Sequence, residues 1–73
     1  MTSEELSRIF RERYHSAAHR QVATSIHLFG IEYADALQGH SIKEICTMAD
    51  VPVSYATEVY KGMKLAKFVV LKS

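Results

Sequence analysis

The chain has 73 residues, and a domain of this length buries only about 60% of the surface that its unfolded form exposes, so its own core is marginal and self-association would help. A composition of 48% hydrophobic and 23% charged residues, with one proline and three glycines, argues against disorder and against repeats. The net charge of +1 is far below the strongly basic balance that would by itself indicate a nucleic-acid-binding protein.

The charges are distributed unevenly along the chain. From Val53 to the C-terminus, four lysines oppose Glu58 alone, which gives a local balance of +3. The stretch from Gln21 to Pro52 has four carboxylates against Lys43, a balance of −3. The C-terminal third is therefore basic although the whole chain is nearly neutral.

Cysteine usage and the start of the chain bear on the compartment. Cys46 is the single cysteine, so it has no partner for an internal disulfide, and no signal-peptide pattern opens the sequence. Both features favour a reducing cytoplasm, and we expect a cytoplasmic, nucleoid-associated protein. No apolar run is long enough to span a bilayer, so no membrane partner is expected.

The first predicted helix begins near Ser3. Thr2 followed by Glu5 has the form of a capping box, and the residues Leu6, Ile9 and Phe10 make one apolar stripe at helical spacing. We expect a break near residues 15–18 and interpret the stripe as the surface through which the protein forms oligomers.

The second predicted helix is long. Apolar residues recur every three or four positions from Val22 to Leu37, and the helix passes through Gly30 at a cost of about 1 kcal/mol relative to Ala. Gly39 can adopt the left-handed conformation that closes a helix. His40 is then expected to be an exposed linker residue.

A third helix is predicted from Ser41, where Ser41 and Glu44 form a second capping box ahead of the apolar residues Ile42, Ile45, Cys46 and Ala49. Because proline is tolerated only in the first helical turn, a further helix must begin at Pro52 or Val53. Its predicted buried stripe is Ala56, Val59, Tyr60, Met63 and Ala66, with Gly62 as a weak point. Residues 68–71 predict a short strand or an apolar tail that packs on a partner subunit.

Two short helices joined by a tight turn, the second opening with small polar residues, are typical of a helix-turn-helix. The motif needs a small residue at the helix crossing and apolar residues before it, after it, past the turn and in the second helix. Those places are filled in order by Cys46, Ile45, Ala49, Val51, Ala56 and Val59. The turn has Asp50 where a glycine is common, and Asp tolerates the left-handed conformation better than most residues.

The segment from Gly39 to Cys46, followed by the turn and Ser54-Tyr55, resembles the helix-turn-helix of PapB-type fimbrial (adhesin) regulators, which have a similar Gly-x-(Ser/Thr)-x-Lys-Glu-x-Cys run. Plasmid repressors of the KorA type are a more distant resemblance. The similarity covers residues 36–65. It implies a bacterial transcription regulator that binds DNA as an oligomer, often over repeated AT-rich sites.

These observations predict an all-α fold, a small bundle of about four helices, in which residues 1–73 form one helix-turn-helix domain. Residues 1–38 are the N-terminal helices that hold an oligomer together, and residues 41–66 are the helix-turn-helix. The recognition helix, about Val53–Leu65, is expected to lie in the major groove of double-stranded DNA. The predicted DNA-binding residues are Lys43, Val53, Ser54, Tyr55, Thr57, Glu58, Lys61 and Lys64.

The predicted roles follow from side-chain chemistry. Val53 can contact a thymine methyl, Ser54 and Thr57 can bond several bases, and Glu58 can accept from cytosine N4. Tyr55 can donate to a phosphate or stack in the core. The three lysines neutralise phosphates. Glu58 has an alternative role, in which it pairs with Lys61 or with arginines of the first helix.

Other chemistries find weaker support. His15 and His19 stand four apart, with Cys46 as a conceivable third metal ligand, but no Cys-x-x-Cys or His-Glu-x-x-His motif is present. Neither a phosphate loop nor a catalytic triad pattern appears. We therefore expect neither an enzyme nor a metal or other cofactor. The rival hypothesis is a helical interaction module that binds a second regulatory protein and does not touch DNA.

Overall fold

The computed structural model describes residues 1–69. Five α-helices follow one another there, joined in two places by 3-10 turns, His19–Gln21 and Val53–Tyr55. The helices are α1 (Ser3–Ser16), α2 (Val22–Glu32), α3 (Ala34–Leu37), α4 (Ile42–Met48) and α5 (Ala56–Leu65). The predicted all-α bundle is confirmed.

The predicted C-terminal strand or tail falls at the edge of the described region. Phe68 lies in a turn and Val69 is outside any regular element, whereas the rest of the predicted segment, from residue 70, lies outside the described residues. Within residues 1–69, no helix combines the length and the apolar character needed to cross a membrane.

Helix α1 begins and ends as the sequence predicts. Glu5 N–H donates to Thr2 Oγ1 at 3.1 Å, and Thr2 N–H donates to the Glu5 carboxylate at 3.0 Å, so the capping box is complete. The helix ends at Ser16, and Ala17 is already extended with ψ 139°. The break predicted near residues 15–18 is therefore confirmed.

The stripe of α1 is part of the domain's own core. Leu6 and Phe10 are completely buried, and the Phe10 ring stacks on Phe29 of α2 with centroids 4.6 Å apart and planes 9° from parallel. The expectation that Leu6, Ile9 and Phe10 form an oligomer surface is wrong, because Leu6 and Phe10 are buried inside the subunit and cannot contact a partner. Ile9, which is partly buried, packs against the same core.

The predicted long second helix is divided in two at Tyr33. This residue has φ −108° and ψ 20°, yet its N–H still donates to Phe29 O at 3.0 Å, and Leu37 N–H donates to Tyr33 O at 2.8 Å. The bend therefore leaves these bonds intact, and both Phe29 and Leu37 reach the core. The segment has no proline or cap that could signal the break, and the apolar residues continue at helical spacing through it. The sequence therefore predicts one uninterrupted helix.

Helices α2 and α5 cross at two glycines. A Cβ atom on Gly30 would stand 2.5 Å from Val59 O and 3.1 Å from Gly62 Cα, and one on Gly62 would stand 3.0 Å from Gly30 Cα. Real Cβ atoms essentially never come within 3.0 Å of backbone, and separations of 3.0–3.4 Å are already unusually tight. Both glycines, which from the sequence are weak points of their helices, allow the two backbones to touch.

The linker before α4 is more ordered than the sequence predicts. Gly39 has φ 84°, the left-handed conformation expected of it. His40 is half-buried, and its Nδ1 lies 3.0 Å from Ser3 Oγ, so the expectation of an exposed linker residue is wrong. Ser41 Oγ accepts the Glu44 N–H at 3.3 Å, one of the two bonds of the predicted capping box.

Candidate nucleic-acid interface

The turn between α4 and α5 is a Schellman motif built on Asp50. Val51 N–H donates to Cys46 O at 2.9 Å and Asp50 N–H donates to Thr47 O at 3.2 Å, which satisfies carbonyls at the end of α4. Asp50 has φ 60°, the left-handed conformation for which glycine is usual. The expectation that Asp replaces the glycine of the turn is confirmed.

The recognition segment starts with a tighter helical turn than expected. Val53–Tyr55 is a 3-10 turn closed by Tyr55 N–H to Pro52 O at 3.0 Å, and α5 proper begins at Ala56. A helical start at Pro52 or Val53 is thus confirmed, but a continuous α-helix from Val53 is not found. Pro52 has ψ 133°, so the chain is still extended there and turns only at the next residue.

The positions that define the helix-turn-helix pack as the sequence predicts. Each is at most 4% exposed, and together they join α4 and α5 to the core shared with α1 and α2. They are Ile45, Cys46, Ala49, Val51, Ala56 and Val59. Close packing at these positions fixes the angle of α5 against α4, so the opposite side of α5 faces away from the bundle.

Most of the predicted DNA-binding residues lie on that outward side. The 3-10 turn and α5 expose Val53, Ser54, Thr57, Lys61 and Lys64. Thr57 lies three or four residues after Ser54 and Val53, and the two lysines follow at intervals of four and three, so all five share one face. We call these five residues together with Tyr60 the α5 outer face. Lys43 is exposed near the start of α4, in a different helix.

Tyr55 points toward the bundle instead of outward. Its ring is half-buried against the core, and its centroid lies 5.7 Å from that of Tyr14 in α1. Of the two roles predicted for this residue, the structure therefore places its ring in the packing role.

Glu58 is tied to its own fold. Its Oε1 lies 2.8 Å from His27 Nε2 of α2, and its Oε2 lies 3.4 Å from Lys61 Nζ. The hydrogen bond from His27, followed by the contact with Lys61, lowers the pKa of the Glu58 carboxyl below its ordinary value. The predicted pairing with Lys61 is confirmed. The alternative pairing with arginines of α1 is not found among the described residues, where Arg13 pairs with Glu32 at 2.7 Å. The sequence did not indicate His27 as a partner.

Tyr60 adds an aromatic hydroxyl to the outer face. The sequence predicts that Tyr60 belongs to the buried stripe, but 46% of the surface of this residue is accessible to solvent. Gly62 takes the buried place three residues after Val59, because α2 passes directly over it. The sequence predicts the buried side of α5 from its bulky apolar residues, whereas at this point of the helix the buried residue is a glycine.

Two arginines of α1 lie beside the end of α4, in a hollow that Glu4 also lines. Arg8 and Arg11 are exposed and line a shallow hollow with Met48, the last residue of α4. The sequence places both on the polar side of α1, but nothing in it indicates that this side adjoins the end of α4.

The metal ligands considered from the sequence are not brought together. Cys46 is buried, whereas His15 and His19 are exposed, and residues 1–69 hold no cluster of three His, Cys, Asp or Glu side chains placed to bind a metal ion. Burial raises the pKa of the Cys46 thiol, which favours the unreactive thiol form.

A family model described as "HTH-like domain" matches residues 2–72 of the chain. The match supports a helix-turn-helix family, but not the PapB-type or KorA-type regulators specifically. None of the curated proteins and none of the solved structures matches the chain significantly.

Proposed function

Because the chain belongs to the HTH-like domain family, we propose that it is a DNA-binding transcription regulator whose 3-10 turn and α5 enter the major groove. Membership of this family favours a regulatory role that involves DNA binding over catalysis.

The observation that carries the proposal is the composition of the α5 outer face. It presents hydroxyl groups near its start and two ammonium groups near its end, and the carboxylate of Glu58 beside it is held by His27 and Lys61. Hydroxyls can donate to or accept from base edges, and lysines neutralise phosphates. Pairing of Glu58 lessens the repulsion that a free carboxylate would exert on DNA.

The proposed division of roles follows the positions on that face. Val53, Ser54 and Thr57, at the N-terminal end, meet the bases, as the first residues of a recognition helix do. Lys61 and Lys64 lie farther along α5 and contact phosphates, and Lys43 of α4 contacts the backbone on another side. Glu58 holds α5 against α2 through its pair with His27 and does not contact cytosine. Tyr55 packs between the recognition segment and the core.

Outer-face residues of this kind make mild contacts, because Arg, Asn and Gln, which read guanine and adenine most strongly, are absent from it. We therefore propose that specificity is increased by acting as a homodimer or higher oligomer on spaced half-sites and by DNA shape. Since Leu6 and Phe10 are buried within the subunit, the surface for self-association must lie elsewhere. We place the protein in the bacterial cytoplasm, on the nucleoid.

The proposed function can be tested by titrating the full chain against the DNA upstream of its own gene and against an unrelated fragment of equal length. Ser54→Ala and Thr57→Ala are compared with Thr24→Ala, which removes an exposed hydroxyl from α2. Specific binding that both α5 variants weaken and Thr24→Ala retains supports α5 as the reader. A folded protein that binds neither DNA at low salt overturns the proposal.

The rival function, an interaction module that acts on another regulator, is favoured by one observation. Phe68 and Leu65 are exposed beyond the end of the outer face, and exposed apolar clusters mark protein-binding surfaces. Salt dependence separates the two functions, because DNA binding through lysines weakens steeply as salt rises.

A further inference from the structure

The C-terminal end of α5 carries an apolar hollow with a basic rim. Leu65 and Phe68 line it together with Lys61 and Lys64, and this open, shallow hollow has a volume of about 300 Å³. Phe68 is 82% exposed and Leu65 is 44% exposed, so both side chains offer apolar surface to a partner. The position of Leu65 and Phe68 at i and i+3 puts them side by side at the helix end.

The charges around the hollow are of one sign. Lys61 and Lys64 line it and are exposed, and the neighbouring carboxylate, Glu58, is held by His27 on one oxygen and by Lys61 on the other. A two-fold contact between two copies through this surface would set one group of lysines against the other, and like charges brought together disfavour association. A partner that brings carboxylates along with an apolar side chain would satisfy both the rim and the hollow.

We propose that Leu65 and Phe68, framed by Lys61 and Lys64, form a docking site for an acidic protein segment that inserts an apolar side chain. Such a segment resembles an amphipathic helix laid into a groove, with Leu or Phe as the anchor and Glu or Asp beside it. The hollow accepts the anchor, and the lysines select the acidic flanks and steer its approach.

The location of this site has a regulatory consequence, which rests on the proposed function. Lys61 and Lys64 belong both to the rim of the hollow and to the α5 outer face that is proposed to contact phosphates. An acidic segment on the hollow occupies the same ammonium groups that DNA needs. The docked partner and DNA therefore compete, and the partner acts as an antagonist of DNA binding.

The test uses the full chain labelled with ¹⁵N and a synthetic amphipathic peptide that has Leu and Phe on one face and Glu on the other. Leu65→Ser and Phe68→Ser are compared with Leu28→Ser, a matched control because Leu28 in α2 is 41% exposed and lies apart from the hollow. Amide shifts that cluster at residues 61–68, and an affinity reduced about tenfold or more in the two α5 variants but retained in Leu28→Ser, support docking. A peptide with Gln in place of Glu is expected to bind more weakly.

Two outcomes overturn the docking site. One is equal weakening in Leu28→Ser. The other is the absence of peptide binding by the folded chain, in which case Phe68-dependent binding to anionic phospholipid vesicles would assign the apolar surface to a membrane. Far-ultraviolet circular dichroism of each variant separates loss of binding from loss of folding.

A DNA competition experiment separates the docking site from the proposed function. Peptide that binds and displaces DNA supports the antagonist role, and peptide that binds without weakening DNA binding overturns it. A chain that binds the peptide but never DNA overturns the proposed function and leaves the docking site standing.

Discussion

Gly30 and Gly62 bring the backbones of α2 and α5 into direct contact, so that a Cβ on either residue would stand about as close to the other residue's Cα as real structures allow. A methyl group on Gly30 would also meet the carbonyl oxygen of Val59. The crossing sets how far α5 projects from the bundle, and with it the position of the outer face.

Gly30→Ala and Gly62→Ala are expected to destabilise the protein, although alanine has the higher helix propensity. The clash is with backbone, which cannot rotate away, so a loss of about 1–3 kcal/mol in the free energy of unfolding is expected. Urea denaturation measures it, with Thr24→Ala at an exposed site of α2 as the control. Unchanged or increased stability of both glycine variants would contradict the crossing described here.

Asp50→Gly is expected to stabilise the protein. Asp50 has φ 60°, a conformation that costs residues with a Cβ about 1–2 kcal/mol and costs glycine little. Part of the gain is offset by the greater freedom of glycine in the unfolded chain, so we expect a net increase of about 0.5–1 kcal/mol. The same denaturation experiment on Asp50→Ala should show a decrease, and a decrease in both variants would count against the turn geometry.

The pair between His27 and Glu58 predicts a pH dependence of stability. Because these contacts lower the pKa of Glu58 in the folded protein, their contribution is present above the ordinary pKa of a glutamate and is lost as pH falls through the lowered folded value. Glu58→Gln should therefore show a smaller loss of stability on acidification than the wild-type chain, measured as the urea midpoint at successive pH values. Glu12→Gln, at an exposed site of α1, is the matched control.

Some acid sensitivity should remain in Glu58→Gln. The capping-box bonds from Thr2 likewise lower the pKa of Glu5. The contribution of this second carboxylate to the stability of the folded state is therefore also lost as pH falls. If Glu58→Gln and wild type followed identical acid profiles, the His27 contact would have no energetic role.

The Cys46 thiol is expected to react slowly in the folded protein. It is completely buried, and burial raises its pKa, whereas the thiolate is the reactive form. Ellman's reagent should label the native chain far more slowly than the chain in urea, and the rate should follow the unfolded fraction. Labelling at the same rate in both states would show that Cys46 is accessible.

Salt titration of DNA binding tests the lysines of the outer face. Lys64→Gln is expected to weaken binding on all sequences alike and to reduce the slope of log affinity against log salt by about 1. Arg20→Gln, which removes an exposed cation from the 3-10 turn before α2, should leave the slope unchanged. Equal effects of the two variants would indicate attraction by overall charge in place of a phosphate contact.

Local signals predicted local structure well. The capping box at Thr2, the left-handed Gly39 and the Asp50 turn each depend on residues within a few positions of one another, so their side-chain chemistry is sufficient to determine the backbone. The buried positions of the helix-turn-helix were also predictable, since helical spacing and small residue size identify them together.

Relationships between distant segments were not predictable. Nothing near Tyr33 signals the bend, which accompanies packing of both α2 and α3 on the core. The exposure of Tyr60 and the contact of His27 with Glu58 depend on where α2 crosses α5, and the burial of Leu6 and Phe10 depends on how α1 packs on α2 and α4. A periodic stripe shows that a helix face is covered, but it does not show whether the cover comes from the same chain or from another.

The stacking of Phe10 on Phe29 has a consequence for protein engineering. Although the helix-turn-helix is contiguous in sequence, the hydrophobic core on which it packs includes residues of α1 and α2, among them those two rings and Leu6. A peptide cut from residue 39 onward would lose these partners and could not bury Ile45 or Val59. The recognition segment of this protein is therefore not expected to fold independently. Transferring it to another scaffold requires the N-terminal helices to be transferred with it.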